Sequence, residues 1–359
     1  MNYSKKFSDF KNLKVLVTGT TGFKGSWLAF WLNNLGAKVV GVALKPEKNS
    51  VLFQKLEIKK NIKQYILDIS DFKKLKYVVK KEKPDLIIHL AAQSIVSLSY
   101  QDPITTFKSN IMGSVNILET FRLSQSKGLV FITSDKCYLN LDKKNSFKET
   151  DILGGIDNYS SSKASAENIF FSYYNSYFKS KSHISMVSAR AGNVIGGGDF
   201  KANRIVPDII RAVKKKKNLV LRNPDSTRPW QHVLEPLSGY LLLAHKILNK
   251  NLVKTNLPSW NFGPEKKNCK NVSFITKKIF DNLGYKKSIR VKKNKSFHES
   301  KLLSLNIDKA KKELKWKPIL SLDETIKLTT DWYVNFYQNH DVKKMTYDHI
   351  DFYMNKSNK

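Results

Sequence analysis

Cysteine is nearly absent from this chain of 359 residues: there are two, Cys137 and Cys269, and their spacing fits no metal-ligand pattern. Two isolated thiols exclude a disulfide framework and point to a reducing, cytoplasmic setting. No uninterrupted apolar run is long enough to cross a bilayer, so no membrane partner is expected. Residues 1–14 are polar, and no secretory signal is expected there. Acidic residues are scarce. Against 63 Lys+Arg there are 30 Asp+Glu, a net charge of +33. Arginine is scarce too, with 7 of the 63 basic residues, which leaves 56 lysines. Sequence-specific nucleic-acid readers lean on arginine within a recognisable module. A lysine excess scattered in pairs, in a chain also rich in Asn and Ile, reads instead as solvated surface and compositional bias. No nucleic-acid partner is expected, although the positive field can draw in anionic substrates. The 41% hydrophobic content suffices for a sizeable core and one or two domains.

What is present is a regular alternation. Residues 14–18 (KVLVT) form a short β-branched run, as in a buried parallel strand. Gly19-Thr20-Thr21-Gly22-Phe23-Lys24-Gly25 follows, and 26–35 has helical apolar spacing. Strand, glycine-rich turn and helix in this order let the backbone approach a pyrophosphate, with the helix N-terminus facing the anion. We read this as a dinucleotide site. Further strands are predicted at 38–43, 64–68, 85–90, 129–133 and 183–190, with helices at 71–81 and 100–124. This alternation implies an α/β fold built on a doubly wound parallel sheet, whose ligands sit outside the carboxyl ends of the strands. Ala91-Ala92-Gln93 and Ser134-Asp135-Lys136 both stand at such ends. No Asp or Glu closes the second strand to meet an adenosine ribose; Ala43-Leu44-Lys45-Pro46 stand there instead, so this stretch leaves NAD against NADP open.

A long helix is predicted to begin at Asn158, a good N-cap residue. Tyr159 and Lys163 are four apart and share one face of it. An ammonium beside a phenol lowers its pKa, so the pair can take a proton from an alcohol. Beyond residue 190 the composition changes. Gly192 to Asp199 is a glycine-rich loop, 204–214 and 232–248 read as helices, 218–221 as a strand, 308–314 as a short helix and 323–336 as the closing helix.

The stretches 18–32 (TGTTGFKGSWLAFWL), 41–46 (GVALKP), 133–140 (TSDKCYLN), 153–167 (LGGIDNYSSSKASAE), 190–200 (RAGNVIGGGDF) and 228–244 (RPWQHVLEPLSGYLLLA) resemble the extended short-chain dehydrogenase/reductase superfamily acting on nucleotide sugars. Within it the chain is most similar to the CDP-glucose 4,6-dehydratase family. The resemblance implies a Rossmann-like domain over 1–190 carrying the catalytic residues. A smaller, mainly substrate-binding part would span 191–359, with some elements returning to the first domain. It implies NAD as cofactor, CDP-glucose as substrate and a homodimer formed through helices 100–124 and 159–178. Tyr159 would take the 4-hydroxyl proton and Lys163 would hold the nicotinamide ribose. Ser134 would hydrogen-bond the 4-oxygen, Asp135 would protonate the departing 6-hydroxyl and Lys136, if neutral, would remove the C5 proton. Cofactor contacts carried over are Gly19, Gly22, Phe23, Lys24 and Gly25 at the pyrophosphate, Asp68 and Ile69 near the adenine, and Ala91, Ala92 and Gln93 by the nicotinamide half, with Tyr159 and Lys163. Substrate contacts would be Asn193, Arg204, Arg222, Arg228 and His232, the last being equally readable as a core histidine. The other readings are another nucleotide-sugar 4,6-dehydratase or 4-epimerase, or a non-catalytic NAD- or nucleic-acid-binding protein of this fold.

Overall fold

Seven strands form the central sheet, in the order Ser259–Phe262, Met186–Ala191, Gly128–Ile132, Leu86–His89, Lys14–Thr18, Lys38–Ala43 and Lys63–Ile66, and every neighbouring pair is parallel. The computed structural model that shows this describes residues 2–48, 50–142, 146–252, 254–286, 288–291 and 303–358. The strand runs are apolar without alternation because helices cover both faces. Along Gly128–Ile132, Val130 and Ile132 enter one core while Leu129 and Phe131 enter the other. Along Lys14–Thr18, Val15 and Val17 face the first core and Leu16 the second. Helix Leu234–Leu248 closes the first face, where Ile247 lies so near Gly128 that a Cβ there would come within 2.5 Å of its Cγ2. Helix Asn158–Tyr173 covers the second, with Phe170 stacked on Phe131. The order of connection reverses between Lys14–Thr18 and Leu86–His89. That switch point opens the crevice in which such sheets bind ligands.

The structure corrects the sequence reading in several places. The helix predicted over 100–124 is interrupted once, at Asp102: Val96–Gln101 ends before it, and the chain is then helical over 103–122 through Pro103–Phe107, a π turn at Lys108–Met112 and Gly113–Arg122. Asp102 caps the second piece by accepting from Thr105 N, and Pro103 occupies its first turn. Proline has no N–H to continue the preceding helix but suits a helix start. Helix Asn158–Tyr173 is capped by Asp157, whose side chain accepts from Ser160 N, and Asn158 is its first residue. Helix Leu322–Tyr337 carries the capping box Ser321/Glu324, but it does not close the described fold; Val342–Ser357 follows it. Strand Ser259–Phe262 and helix Val272–Asn282 were not foreseen.

Candidate active site

The glycine-rich turn is built as the dinucleotide reading requires. Gly19 has φ +81°, and a Cβ on it would lie 3.0 Å from the backbone of Ala91. A Cβ on Gly25 would fall 2.0 Å from the Gly19 carbonyl oxygen. Only backbone can therefore line this cradle, and it opens on the N-terminus of helix Phe23–Asn34. Ser26 Oγ donates to Thr20 O at 2.9 Å and fixes the turn from behind. Across the crevice, Thr18 Oγ1 accepts from Leu90 N at 3.1 Å and Ala91 N at 3.0 Å. The Gln93 side chain holds its own loop: Nε2 donates to Thr106 Oγ1 at 2.9 Å, and Oε1 accepts from Ile95 N at 2.5 Å. Asn110, in the π turn, accepts from Gln93 N at 2.8 Å and donates to Ser162 Oγ at 2.9 Å. It thus ties the Ala91-Ala92-Gln93 loop to the helix of Tyr159. Asp68 is exposed and accepts from Ser70 N, while Ile69 is buried and its carbonyl accepts from Asn116 Nδ2 at 2.9 Å.

Tyr159 is 7% exposed and Lys163 5%. The structure overturns the expected depression of the Tyr159 pKa. Burial pushes it up to about 12, and the Asp135 and Asp157 charges push the same way. The Ser134 hydrogen bond and the Arg204 charge pull it down. Burial and then the Lys24 charge bring Lys163 down to about 8. Lys24, from the glycine turn, is itself lowered to about 8 by burial, against the Asp135 charge and with that of Arg204. Lys24, Asp135, Tyr159, Lys163 and Arg204 thus share one electrostatic pocket. Ser134 joins its two halves, bonding to Tyr159 and donating from Oγ to Asp135 Oδ1 at 2.9 Å. Asp135 is 3% exposed, and burial raises its carboxyl pKa against the charges of Lys136, Arg228 and Lys24. Among the described residues its Oδ2 has no hydrogen-bond partner, and it lies 3.0 Å from where a Gly192 Cβ would stand. A buried carboxyl held towards its protonated form, with one free oxygen, is equipped to give a proton.

The remaining candidates divide. Arg228 is buried and acts on Asp135. Arg204 binds Asp199 at 2.8 Å and Ser94 Oγ at 3.0 Å, so it spans the crevice. Arg222 donates to Asn203 Oδ1 at 3.3 Å, and Asn193 is exposed. His232 is fully buried between Trp27 and His349, with ring centroids at 5.9 and 6.2 Å, and its Nδ1 accepts from Leu234 N. Burial holds it well below the usual histidine range, as suits a packed neutral ring. Thr18, Asn110 and Glu167 escaped the sequence reading as site-shaping residues.

The family profile described as GDP-mannose 4,6 dehydratase matches residues 16–329. Among characterised relatives, the CDP-glucose 4,6-dehydratase of Salmonella typhimurium is 39% identical, covering 95% of this chain and 96% of its own. Among solved structures, the UDP-glucose 4-epimerase of Thermotoga maritima, determined with UDP-glucose, superposes with a TM-score of 0.79 at 22% identity over 90% of this chain and 100% of that one. The dTDP-glucose 4,6-dehydratase of Bacillus anthracis, determined in complex with NAD, gives 0.75 at 24% identity over 91% and 98%. These two share the Rossmann fold of the chain. The glycine cradle, the Tyr159/Lys163 helix, the profile match and the 39% identity agree, and the chain belongs to the GDP-mannose 4,6 dehydratase family of nucleotide-sugar dehydratases and epimerases.

Proposed function

We propose that this chain is an NAD-dependent lyase converting CDP-D-glucose to CDP-4-dehydro-6-deoxy-D-glucose and water. The observation that carries the reading is Asp135. An epimerase needs a base at C4 and no acid for a departing hydroxyl. Here a buried carboxyl with a raised pKa and a free Oδ2 is coupled through Ser134 to Tyr159. The 39% identity to the Salmonella CDP-glucose enzyme supports the choice of nucleotide.

The backbone cradle of Gly19, Gly22 and Gly25, with Phe23 and Lys24, fits a dinucleotide pyrophosphate, and Ala91, Ala92 and Gln93 leave room for its other half; Asp68 and Ile69 flank the adenine end in this reading. When bound, NAD would supply the oxidant for C4 and the reductant for C6. Tyr159 takes the 4-hydroxyl proton and Ser134 holds the same oxygen. Lys163 holds the cofactor ribose and opposes loss of the phenolate. Asp135 delivers its proton to the leaving 6-hydroxyl, which departs as water. Lys136, half-buried beside Asp135, takes the C5 proton when its amine is neutral. Arg204 and Arg228 meet the substrate diphosphate, with Asn193 and Arg222 at the rim, and His232 packs beneath the site. The cofactor half is 1–190 and the substrate half mainly 191–359. The protein works in the cytoplasm as a homodimer. Leu98, Tyr100, Ile104, Met112 and Tyr177 supply exposed apolar surface on the two helical stretches that would pair.

The test is Asp135→Asn, assayed with CDP-glucose and NAD. The dehydratase reading expects C4 oxidation to persist while keto-deoxysugar formation falls by a factor on the order of 10²–10⁴. Undiminished turnover of the variant, or conversion of UDP- or dTDP-glucose with CDP-glucose untouched, would overturn it.

A further inference from the structure

Tyr159, Lys163 and Glu167 lie at successive four-residue steps on one helix, yet only the first two face the crevice chemistry. Glu167 points into the protein and is 0% exposed. It pairs with Arg190 Nη2 at 2.7 Å, a second charge that is 1% exposed. Each partner then reaches one end of the turn that carries Ser134, Asp135 and Lys136. At its start, Thr133 Oγ1 donates to Glu167 Oε1. At its end, Arg190 Nη1 donates to Tyr138 Oη at 2.8 Å, and the guanidinium carbon lies 5.0 Å from the centre of the Tyr138 ring. Glu167 also accepts from Ser188 Oγ at 3.0 Å, and Tyr138 Oη donates to Asn261 Oδ1 at 2.7 Å. The turn is thereby clamped at both ends to one buried ion pair whose acidic member belongs to the helix of Tyr159.

A buried ion pair is a poor way to gain stability, because apolar residues of similar volume often do as well or better. What it supplies is direction. Fork-shaped guanidinium donors and a carboxylate accept few alternative arrangements. We infer that Glu167 and Arg190 are positioning residues that fix the acid-bearing turn, through Thr133 and Tyr138, at the distance from Tyr159 at which one bound sugar serves both oxidation and loss of water. This rests on the dehydratase reading. Its distinct content is that the two half-reactions are coupled by this clamp, and that loosening the turn end uncouples them.

The gentlest probe is Tyr138→Phe, which keeps the ring under Arg190 and removes only the hydroxyl. Full-length protein with NAD and CDP-glucose is mixed rapidly. Absorbance of reduced nicotinamide reports C4 oxidation, and the keto-deoxysugar reports water loss. The clamp predicts oxidation near the wild-type rate, elimination slower by about tenfold, and reduced cofactor accumulating, since small misplacements of a reacting group cost this much or more. Thr133→Val should uncouple the steps in the same way, while Thr133→Ser, which keeps the hydroxyl for Glu167, should restore the wild-type ratio. A purely structural role predicts both steps slowed by one factor that follows the unfolding temperature. That result, or an unchanged ratio in both Tyr138→Phe and Thr133→Val, overturns the inference. Wild-type protein that makes no keto-deoxysugar removes the dehydratase reading and the clamp with it, and that outcome is distinct from coupled steps in an active variant.

Discussion

Glu235 provides a quantitative test of the packing. It opens helix Leu234–Leu248 and is 1% exposed. Its Oε1 accepts from Ile319 N at 2.8 Å and Leu320 N at 2.7 Å, and its Oε2 accepts from Tyr353 Oη at 2.7 Å. It therefore staples this helix to the loop before Leu322–Tyr337 and to helix Val342–Ser357. Burial raises its pKa from 4.5 to about 7, against the Leu320, Tyr353 and Ile319 hydrogen bonds and the Lys356 charge. The sign follows from proton binding. Between these two values the folded chain holds a proton that the unfolded chain has released, so stability falls as pH rises. The contribution is complete below about pH 4.5 and lost on rising through about pH 7. At about 1.4 kcal/mol per pH unit, the gap amounts to about 3 kcal/mol. Glu235→Gln removes the titration and keeps the shape. The amide oxygen can serve both backbone donors, and its NH₂ can donate to Tyr353 Oη, whose own proton then goes to Ser238 Oγ, 2.8 Å away. Urea unfolding of both proteins across this pH range should show the variant gaining on the wild type as pH rises, by up to about 3 kcal/mol. Parallel curves would refute the reasoning, because they would mean that Glu235 titrates alike in both states.

Other outcomes follow from the site. Tyr159→Phe should lower kcat by a factor on the order of 10²–10⁴. Because burial keeps the resting phenol protonated, kcat/KM of the wild type should rise with pH from neutrality; a flat profile would count against Tyr159 as the base. Gly25→Ala places a Cβ 2.0 Å from the Gly19 carbonyl oxygen, so NAD should no longer raise the unfolding temperature of the variant; an unchanged shift would refute the cradle. Ile104→Glu puts a charge on a side chain that is 79% exposed. Sedimentation should show monomers if the 96–122 helices pair between copies, and an unaltered species would refute that pairing.

The parts of the fold legible in the sequence are those held by local chemistry. Buried parallel strands announce themselves as β-branched runs, and Gly19 and Gly25 mark a turn that a side chain at either position would obstruct. The break at Asp102-Pro103 was equally local, a cap followed by proline, and the long apolar pattern around it concealed it. Helix Val342–Ser357 was readable from Val342, Met345, Ile350 and Tyr353 on one face and Asp341 as its cap. Strand Ser259–Phe262 was not, because it is short and carries Asn261 in a position that is entirely buried. That asparagine is affordable there only because the amide donates to the carbonyls of Phe147 and Asn306 and accepts from Tyr138, contacts from three distant segments. The site divides in the same way. Tyr159 and Lys163 share a helix face by spacing alone, but the direction of the Tyr159 pKa is a tertiary property, set by burial that no local pattern reveals. Glu167 looked like an ordinary helical glutamate and Arg190 like the end of a strand. Their pairing joins residues 23 apart and brackets a turn more than 30 residues upstream of Glu167. The motif thus announces which groups do chemistry, while the distances at which they do it are held by buried polar contacts whose partners become neighbours only on folding.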